Sequence, residues 1–290
     1  MIVVGEARNA PPCLALDIGA TKVEAALVHV DGVITVRERL LVAEHSSDLI
    51  GAIVDMMERV IGAEPVDVVG VGCAGPMTLD GEEVSPLNIA AWRDFPLRRS
   101  LRSAIGREVY VEGDARALAL AEGVFGAAKG DSSYLSMVVS TGVGGAFVID
   151  GRLLSGDSGN AGHVGHLNVV TNGAMCSCGA YGCLEAEASG WAIEARTGHP
   201  AAEADLVTRE RTAELVGRGI GTLAAVLDFN RCYVAGSVAL GFGDDFFAMA
   251  NKTARSMATL HYNHDLEIRR SGLGSDGPIL GAALVAWKAS

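Results

Sequence analysis

Two stretches of the chain share one layout. Residues 13–22 read CLALDIGATK and residues 134–145 read YLSMVVSTGVGG. Each consists of an apolar strand, a glycine-containing turn and the start of a second strand, and a hairpin turn follows each pair, at Asp31-Gly32 and at Asp150-Gly151. Helices and strands then alternate in both halves. The sequence therefore predicts a duplicated α/β architecture of two lobes with a central cleft, into which each lobe points one glycine loop.

Hydrophobic periodicity places the individual elements. In the first half it predicts strands at 13–16, 23–30, 33–42, 66–73 and 109–112, and helices at 47–61, 97–105 and 115–125. In the second half it predicts strands at 134–139, 146–149 and 232–235, and helices at 186–196, 212–229 and 278–288. We expect an N-terminal lobe at 13–125 and a C-terminal lobe at 126–290, with the last helix able to pack back on the N-terminal lobe.

Composition excludes several classes of partner. The 290 residues carry 23 Lys+Arg against 35 Asp+Glu, a net charge of −12, and no basic run, so no nucleic-acid partner is expected. The uncharged stretch at residues 132–149 is too rich in serine, threonine and glycine to cross a membrane. No signal peptide is visible in residues 1–12, and the six cysteines are expected to be reduced in a cytoplasm.

Both glycine loops are candidate phosphate sites. Glycine lets backbone amides approach a phosphate, threonine adds a hydroxyl, and a strand-end carboxylate could hold Mg²⁺ through water. The candidates are Asp17, Gly19, Thr21 and Lys22 in the first loop, and Thr141, Gly142 and Gly144 in the second. The alternative for each is an ordinary turn. Two loops at matching places strengthen each other, because a triphosphate in a central cleft needs donors from both sides.

Asp114 closes a predicted strand and begins a helix. As an N-cap it would simply accept a hydrogen bond from the first helical turn. As a carboxylate at the edge of the cleft it could take a proton from an attacking hydroxyl. The residues alone leave both interpretations open.

Gly70, Gly72 and Gly75 match the dinucleotide pattern G-x-G-x-x-G. That pattern binds a pyrophosphate only where the glycines open a helix. Here Pro76 follows at once and a turn follows at 78–81, so we do not expect a dinucleotide site.

A histidine and three cysteines have the spacing of a metal site: His166, Cys176, Cys178 and Cys183. The set suits a tetrahedral Cys₃His zinc site of the closed, structural kind. The alternatives are chance clustering or a redox pair of Cys176 with Cys178. Zinc is favoured because a C-x-C disulfide is strained and an irregular loop needs a crosslink. The remaining cysteines, Cys13, Cys73 and Cys232, are predicted to be small core residues.

The stretches Gly162-His-Val-Gly-His166 and Cys176-Ser-Cys-Gly-Ala-Tyr-Gly-Cys-Leu-Glu185 resemble the signature of the ROK family (repressors, open reading frames, kinases). The family form is G-E-x-G-H followed by C-x-C-G-x-x-G-C-x-E. The resemblance extends over nearly the whole chain. Residues 17–22 resemble the family's D-I-G-G-T-K, and residues 112–116 resemble its E-N-D-A-N. Residues 140–144 are similar to its G-T-G-x-G, and Asn88 with Trp92 is similar to its P-N-x-x-x-W. Residues 235–237, which include Gly236, resemble the glycines on the adenosine side of the family's site.

This resemblance implies an actin-like ATPase fold, related to ribonuclease H, and phosphorylation of a sugar hydroxyl by MgATP. The hydroxyl is commonly the 6-hydroxyl of a hexose or N-acetylhexosamine. By position, Asp114 matches the catalytic base, His166 a residue that ligates zinc and touches the sugar, and Glu185 a carboxylate near the anomeric end. The remaining implied sugar contacts are Gly75, Asn88 and His163. A homodimer or homotetramer is also implied, whereas the family's repressors carry a DNA-binding segment for which no room precedes Asp17.

Two positions depart from the family pattern. Gly113 stands where the family has the Asn that precedes its base, and His163 replaces the Glu of G-E-x-G-H. Both family residues hydrogen-bond sugar hydroxyls, so their loss makes glucose a doubtful preferred sugar. Ser140 and Ser237 replace glycines, a milder change. The expected function is an ATP-dependent sugar kinase, and its rivals are a non-catalytic sugar sensor and a kinase that uses another donor such as polyphosphate.

Overall fold

A computed structural model describes residues 11–87 and 89–289. The chain divides into two compact units. The first extends through Ala121 and includes Ser155–Asn160 and the segment from Ser275. The second consists of Glu122–Leu154 and Ala161–Gly274. The change of unit after Ala121 lies close to the expected boundary at 125/126, but two later segments group with the first unit, which a single boundary could not describe.

Strands and helices alternate along most of the chain. The strands are β1 (Cys13–Ile18), β2 (Lys22–Val28), β3 (Ile34–Leu41), β4 (Val68–Cys73), β5 (Glu108–Gly113), β6 (Tyr134–Val139), β7 (Val143–Ile149), β8 (Arg152–Leu153), β9 (Arg231–Ala235) and β10 (Glu267–Arg270). The α-helices are α1 (Leu49–Ile61), α2 (Leu97–Ile105), α3 (Asp114–Val124), α4 (Leu184–Ala188), α5 (Gly190–Thr197), α6 (Leu206–Leu227), α7 (Ser237–Gly241), α8 (Asp244–Met257) and α9 (Gly277–Ala289).

The two units repeat one sheet plan. The first sheet has the order β3-β2-β1-β4-β5 and the second β10-β9-β6-β7-β8. In each, an antiparallel hairpin (β1 with β2, β6 with β7) lies beside a parallel neighbour (β4 beside β1, β9 beside β6). The central strand β1 is buried on both faces, as a strand covered by helices must be. The predicted duplicated α/β fold is therefore confirmed, and each glycine loop is the turn of the central hairpin.

Helix α9 packs on β1 and β4 of the first sheet. Its residues are almost entirely apolar and buried. The contact is so close that a Cβ on Gly70 of β4 would lie 1.8 Å from the carbonyl oxygen of Ala282. Gly70 and Gly72 thus lie inside a strand and do not open a helix, so the expectation that they form no dinucleotide site agrees with the structure.

Three differences from the predicted elements have local causes. The helix predicted at 186–196 is two helices, because Ser189 leaves helical geometry and its Oγ accepts from the amide of Ala192 to begin α5. Helix α6 begins at Leu206 rather than near 212, since Asp205 caps it through the amide of Thr208. Strand β10 was not predicted, because three of its four residues are charged.

Each unit has its own hydrophobic core. Cys13, Cys73 and Cys232 are fully buried in these cores, as predicted, and burial raises the pKa of each thiol. Among the described residues, no helix combines the length and the apolar character that a membrane-spanning segment needs.

Candidate active site and metal centre

The first glycine loop is the turn of residues 19–21 between β1 and β2. It is closed by the amide of Gly19, which donates to the carbonyl of Lys22 (3.0 Å), and the carbonyl of Thr21 accepts from the amide of Val42 (3.0 Å). Within the described ranges, the amides of Ala20 and Thr21 and the hydroxyl of Thr21 have no hydrogen-bond partner. Consecutive unpaired amides beside a hydroxyl form a concavity that attracts an anion.

The second glycine loop is the turn of residues 140–142 between β6 and β7. The amide of Ser140 donates to the carbonyl of Gly142 (2.9 Å). The carbonyls of Ser140 and Thr141 accept from Gly190 (2.7 Å) and Trp191 (3.2 Å) at the start of α5. As far as the structure describes the chain, the amides of Thr141 and Gly142 and the hydroxyl of Thr141 are left without partners. The second loop therefore offers the same three donors as the first.

Asp17 lies in β1 and Asp114 directly follows β5, the two strands on either side of β4. Asp17 of β1 pairs in register with Gly72 of β4, and Asp114 follows the end of β5. A Cβ on Gly72 would lie 3.8 Å from Oδ1 of Asp17 and 3.7 Å from Cα of Asp114. The glycine thus keeps open the space between the two acidic residues.

Burial, together with the charges of Asp114 and Glu24, raises the pKa of Asp17 to about 7, against a smaller lowering by Lys22. Asp17 is 8% exposed, whereas Asp114 is open to solvent and accepts from the amide of Ala115 (2.7 Å). Two neighbouring carboxylates of this kind favour a cation between them.

Lys22, a predicted phosphate ligand, is engaged by a buried acid. Its ammonium lies 3.3 Å from Oε2 of Glu24. The Glu24 side chain is 1% exposed, and its other oxygen, Oε1, accepts from Nε of Arg39 (2.7 Å). These cations lower the pKa of Glu24 against the opposing effect of its burial. Lys22 therefore has a structural partner, and its contact with phosphate stays a prediction.

Arg116 was missed by the sequence reasoning. Its guanidinium is held by Glu112 through two contacts, Nε to Oε1 (2.7 Å) and Nη2 to Oε2 (3.2 Å), and by Oγ of Ser155 (3.3 Å). A Cβ on Gly113 would lie 3.2 Å from Cδ of Arg116. Arg116 thus takes the space that a side chain at 113 would need. The available signal was the last residue of Glu112-Gly-Asp-Ala-Arg116, where the family pattern E-N-D-A-N ends in Asn.

The four predicted metal ligands lie together in the second unit. One ligand atom from each of His166, Cys176, Cys178 and Cys183 can be chosen so that all lie within 4.8 Å of one another. Nδ1 of His166 is 3.6 Å from Sγ of Cys176, and Sγ of Cys178 is 3.8 Å from Sγ of Cys183. A tetrahedron with zinc–sulfur bonds of about 2.3 Å has edges of roughly 3.7 Å. The cluster therefore has the size and donor chemistry that zinc requires.

The electrostatics of the thiols favour a bound cation. The backbone amide of Ala180 lowers the pKa of the exposed Cys178. Burial and the neighbouring thiols raise the pKa of Cys183 to about 12. Three sulfurs this close cannot all ionise unless a positive charge compensates them, so metal binding and thiol deprotonation are coupled.

The other predicted residues of the second unit surround the metal ligands or the loop. The rings of His163 and His166 stack with centroids 6.2 Å apart. Glu185 lies in α4, and its Oε2 accepts from the amide of Val143 (3.0 Å). Gly144 is inside β7 rather than in the turn.

Two glycines and one asparagine complete the predicted set. Gly236 has a φ of 101°, and a Cβ there would lie 2.3 Å from the carbonyl oxygen of Val139, so only glycine allows this approach. Gly75 lies two residues past β4 in the first unit. Asn88 lies outside the described residues.

The ROK family model matches residues 13–289. The chain belongs to the ROK family. This ROK protein is 34% identical to the N-acetylmannosamine kinase of Escherichia coli, over 94% of the chain and 97% of that relative. Its structure resembles the ROK hexokinase of Thermus thermophilus (TM-score 0.83, 32% identity, covering 96% of this chain and 98% of that one). It also resembles a ROK glucokinase of Streptomyces griseus solved with glucose and AMPPNP (TM-score 0.85, 27% identity, 96% and 99%).

These likenesses confirm the actin-like ATPase fold that the sequence resemblance implied. They also confirm the expected enzyme class, a carbohydrate kinase. The ROK protein presents the predicted site residues in two groups. Asp17, the first glycine loop and Asp114 belong to the first unit, and the second glycine loop, Glu185 and the metal ligands belong to the second.

Proposed function

We propose that this ROK protein transfers the γ-phosphoryl group of MgATP to the 6-hydroxyl of a hexose or N-acetylhexosamine. The observation that carries the proposal is the pair of glycine loops. Among the residues that the structure describes, the two consecutive amides and the threonine hydroxyl of each loop have no partner, so each loop can donate to phosphate oxygens without breaking a bond of its own. A nucleotide phosphate is the ligand that each such set of donors fits.

Asp114 is the proposed catalytic base. It accepts the proton of the sugar hydroxyl as that oxygen attacks the γ-phosphorus and the bond to the β-phosphate oxygen breaks. Its exposure at the first turn of α3 supports this role, because the carboxylate is accessible to a substrate. Asp17 lies beside it and is the proposed carboxylate for the shell of the magnesium ion. When bound, Mg²⁺ neutralises the charge that develops on the phosphates.

The proposed metal of the cysteine cluster is Zn²⁺, held by His166, Cys176, Cys178 and Cys183. Four protein ligands leave no open position for a substrate, so its role is structural. The metal would fix the segments that carry His163, His166 and Glu185, three of the proposed sugar contacts. The other proposed contacts are Gly75 and Asn88, and Gly236 is the proposed adenosine-side glycine.

The identity of the sugar rests on the relatives and on Gly113. The relatives include an N-acetylmannosamine kinase and a glucokinase, which supports a hexose or its 2-acetamido derivative. Gly113 offers no polar group next to Asp114, and Arg116 fills the vacated space with its charge already paired to Glu112. Such a site would discriminate against a sugar whose hydroxyl needs a hydrogen-bond partner at position 113, because that hydroxyl would be left unpaired.

ADP release from MgATP across hexoses, 2-acetamidohexoses and ketoses tests the proposal, with D114N as the control. We expect turnover on one sugar class and a loss of 10²–10⁴-fold in kcat for the variant, the usual range for a general base. Near-full turnover by folded D114N would disprove the assignment of the base. Absence of turnover on every sugar, from folded zinc-loaded protein, would disprove the kinase.

A further inference from the structure

The second glycine loop is supported from outside by the segment that follows Cys183. Its carbonyls at Ser140 and Thr141 accept from Gly190 (2.7 Å) and Trp191 (3.2 Å). The amide of Val143, the residue directly after the loop, donates to Oε2 of Glu185 (3.0 Å). Three hydrogen bonds therefore tie this short turn to residues 185–191, which begin two positions after the last metal ligand.

The segment that carries the proposed metal ligand His166 lies close to the carbonyl of Val143. A Cβ on Gly165, which precedes the ligand His166, would lie 2.1 Å from the carbonyl oxygen of Val143 and 3.4 Å from Cβ of Glu185. A Cβ on Gly142 would lie 2.8 Å from Oε2 of Glu185. Val143 thus contacts both segments: its carbonyl lies close to Gly165, which precedes His166, and its amide is held by Glu185, which follows Cys183.

We propose that Glu185 is a positioning residue that couples metal occupancy to the shape of the second glycine loop. A metal bound by both His166 and Cys183 fixes the two segments that contact Val143. The carboxylate of Glu185 then holds the Val143 amide, and the unpaired donors of Thr141 and Gly142 keep their orientation. This inference rests on the proposed function, because it assumes that the loop binds the nucleotide phosphates.

The coupling must be reciprocal. If metal binding raises the affinity for nucleotide by some factor, nucleotide raises the affinity for metal by the same factor. Couplings of this kind are typically about 5–150-fold. The first glycine loop provides the internal comparison, since its supports are the hairpin itself and Val42 of its own unit.

Hydrogen exchange without nucleotide tests the coupling directly. Amide exchange in residues 140–145 should speed up when the metal is removed by a chelator, and also in metal-loaded E185A. It should stay near the wild-type rate in metal-loaded E185Q, because the glutamine oxygen still accepts from the Val143 amide. The matched control is E194A, which removes an exposed acid from α5. Equal exchange of the loop in loaded, metal-free and E185A protein would overturn the inference.

Binding of the non-hydrolysable analogue AMPPNP, measured by calorimetry without sugar, adds the reciprocal test. We expect metal-free protein and loaded E185A to bind at least about 5-fold more weakly than wild type, with E185Q close to wild type. Metal affinity, measured by chelator competition, should rise by the same factor when the analogue is present. Unchanged metal affinity would overturn the coupling. If metal-loaded wild type does not bind the analogue, the proposed function is wrong. The exchange experiment would still decide the role of Glu185.

Discussion

The two glycine loops offer the same donors but are stabilised in different ways. The first closes on its own hairpin and on the amide of Val42, and a buried acid, Asp17, lies two residues before it. The second is held by Glu185 and the start of α5, and Val138 occupies the place two residues before it. The two turns thus present the same donors, but a buried carboxylate precedes only the first, and only the second is held by the segment that follows Cys183.

The largest expected effect follows from removing a proposed metal ligand, because only the second loop is tied to the segments that carry these ligands. C183S should lose the metal and lower the melting temperature by about 10 °C or more. Loss of a structural metal is among the few single changes that cost over about 4 kcal/mol, and each kcal/mol shifts the midpoint by roughly 2–4 °C.

Metal analysis and calorimetry check this, and hydrogen exchange should locate the loosening in the second unit, with β1 and β4 of the first unchanged. The control is C13A, which removes a core thiol of the first sheet and should keep one metal per chain. A C183S protein that retained the metal would contradict the ligand assignment.

The acid beside the first loop predicts a pH dependence without a counterpart at the second. The folded pKa of Asp17, about 7, lies above its ordinary value of 3.8, so the folded state binds the proton more tightly than the unfolded chain. Stability should therefore fall as pH rises between about 4 and 7, by up to about 4 kcal/mol, in protein free of nucleotide and magnesium. D17N cannot ionise and should lack this loss.

Urea unfolding of both proteins at pH 5, 6, 7 and 8 measures the difference, since the other titrating groups are common to both. The free energy of unfolding of the wild type should fall relative to that of D17N at each step up to pH 7, and little above pH 7. Parallel curves for the two proteins would show that Asp17 is not buried as described.

The smallest expected effect concerns the space next to Asp114. G113N should be destabilising by about 1–3 kcal/mol, because the new side chain displaces Arg116 from Gly113 and strains its pair with Glu112. R116N alone removes the pair, and the double variant should recover part of the loss. A double-mutant cycle should therefore give a coupling of about 0.5–3 kcal/mol. Strict additivity of the two substitutions would contradict the contact.

The sequence predicted the local patterns well and the long-range contacts poorly. Apolar runs and turn glycines determine β1, β2 and β6 wherever they pack, and the cysteine spacing predicted a cluster that the structure brings together. The hydrogen bond from the Val143 amide to Glu185 joins residues 42 positions apart, and no local sequence pattern predicts it. The pair of Arg116 with Glu112 is a local contact, four residues apart, and it was missed because a charged pair at this helical spacing is ordinarily solvated.

The position of α9 also lay beyond local patterns. Its apolar sequence predicts a buried helix, but which sheet it covers depends on the small surface left by Gly70, a residue more than two hundred positions earlier. The short β10 escaped detection because its charged residues carry no period-2 apolar signal.

The central claim is that each glycine loop is a phosphate site. Calorimetric binding of MgAMPPNP to zinc-loaded wild type, T21A, T141A and the double variant tests it most directly. Each single variant should lose about 5–20-fold in affinity, as expected for one hydrogen bond of roughly 1–2 kcal/mol to a charged group, and the double variant should lose close to the product of the two. If either single variant binds as tightly as wild type, that loop is not a phosphate site and the assignment of its donors is wrong.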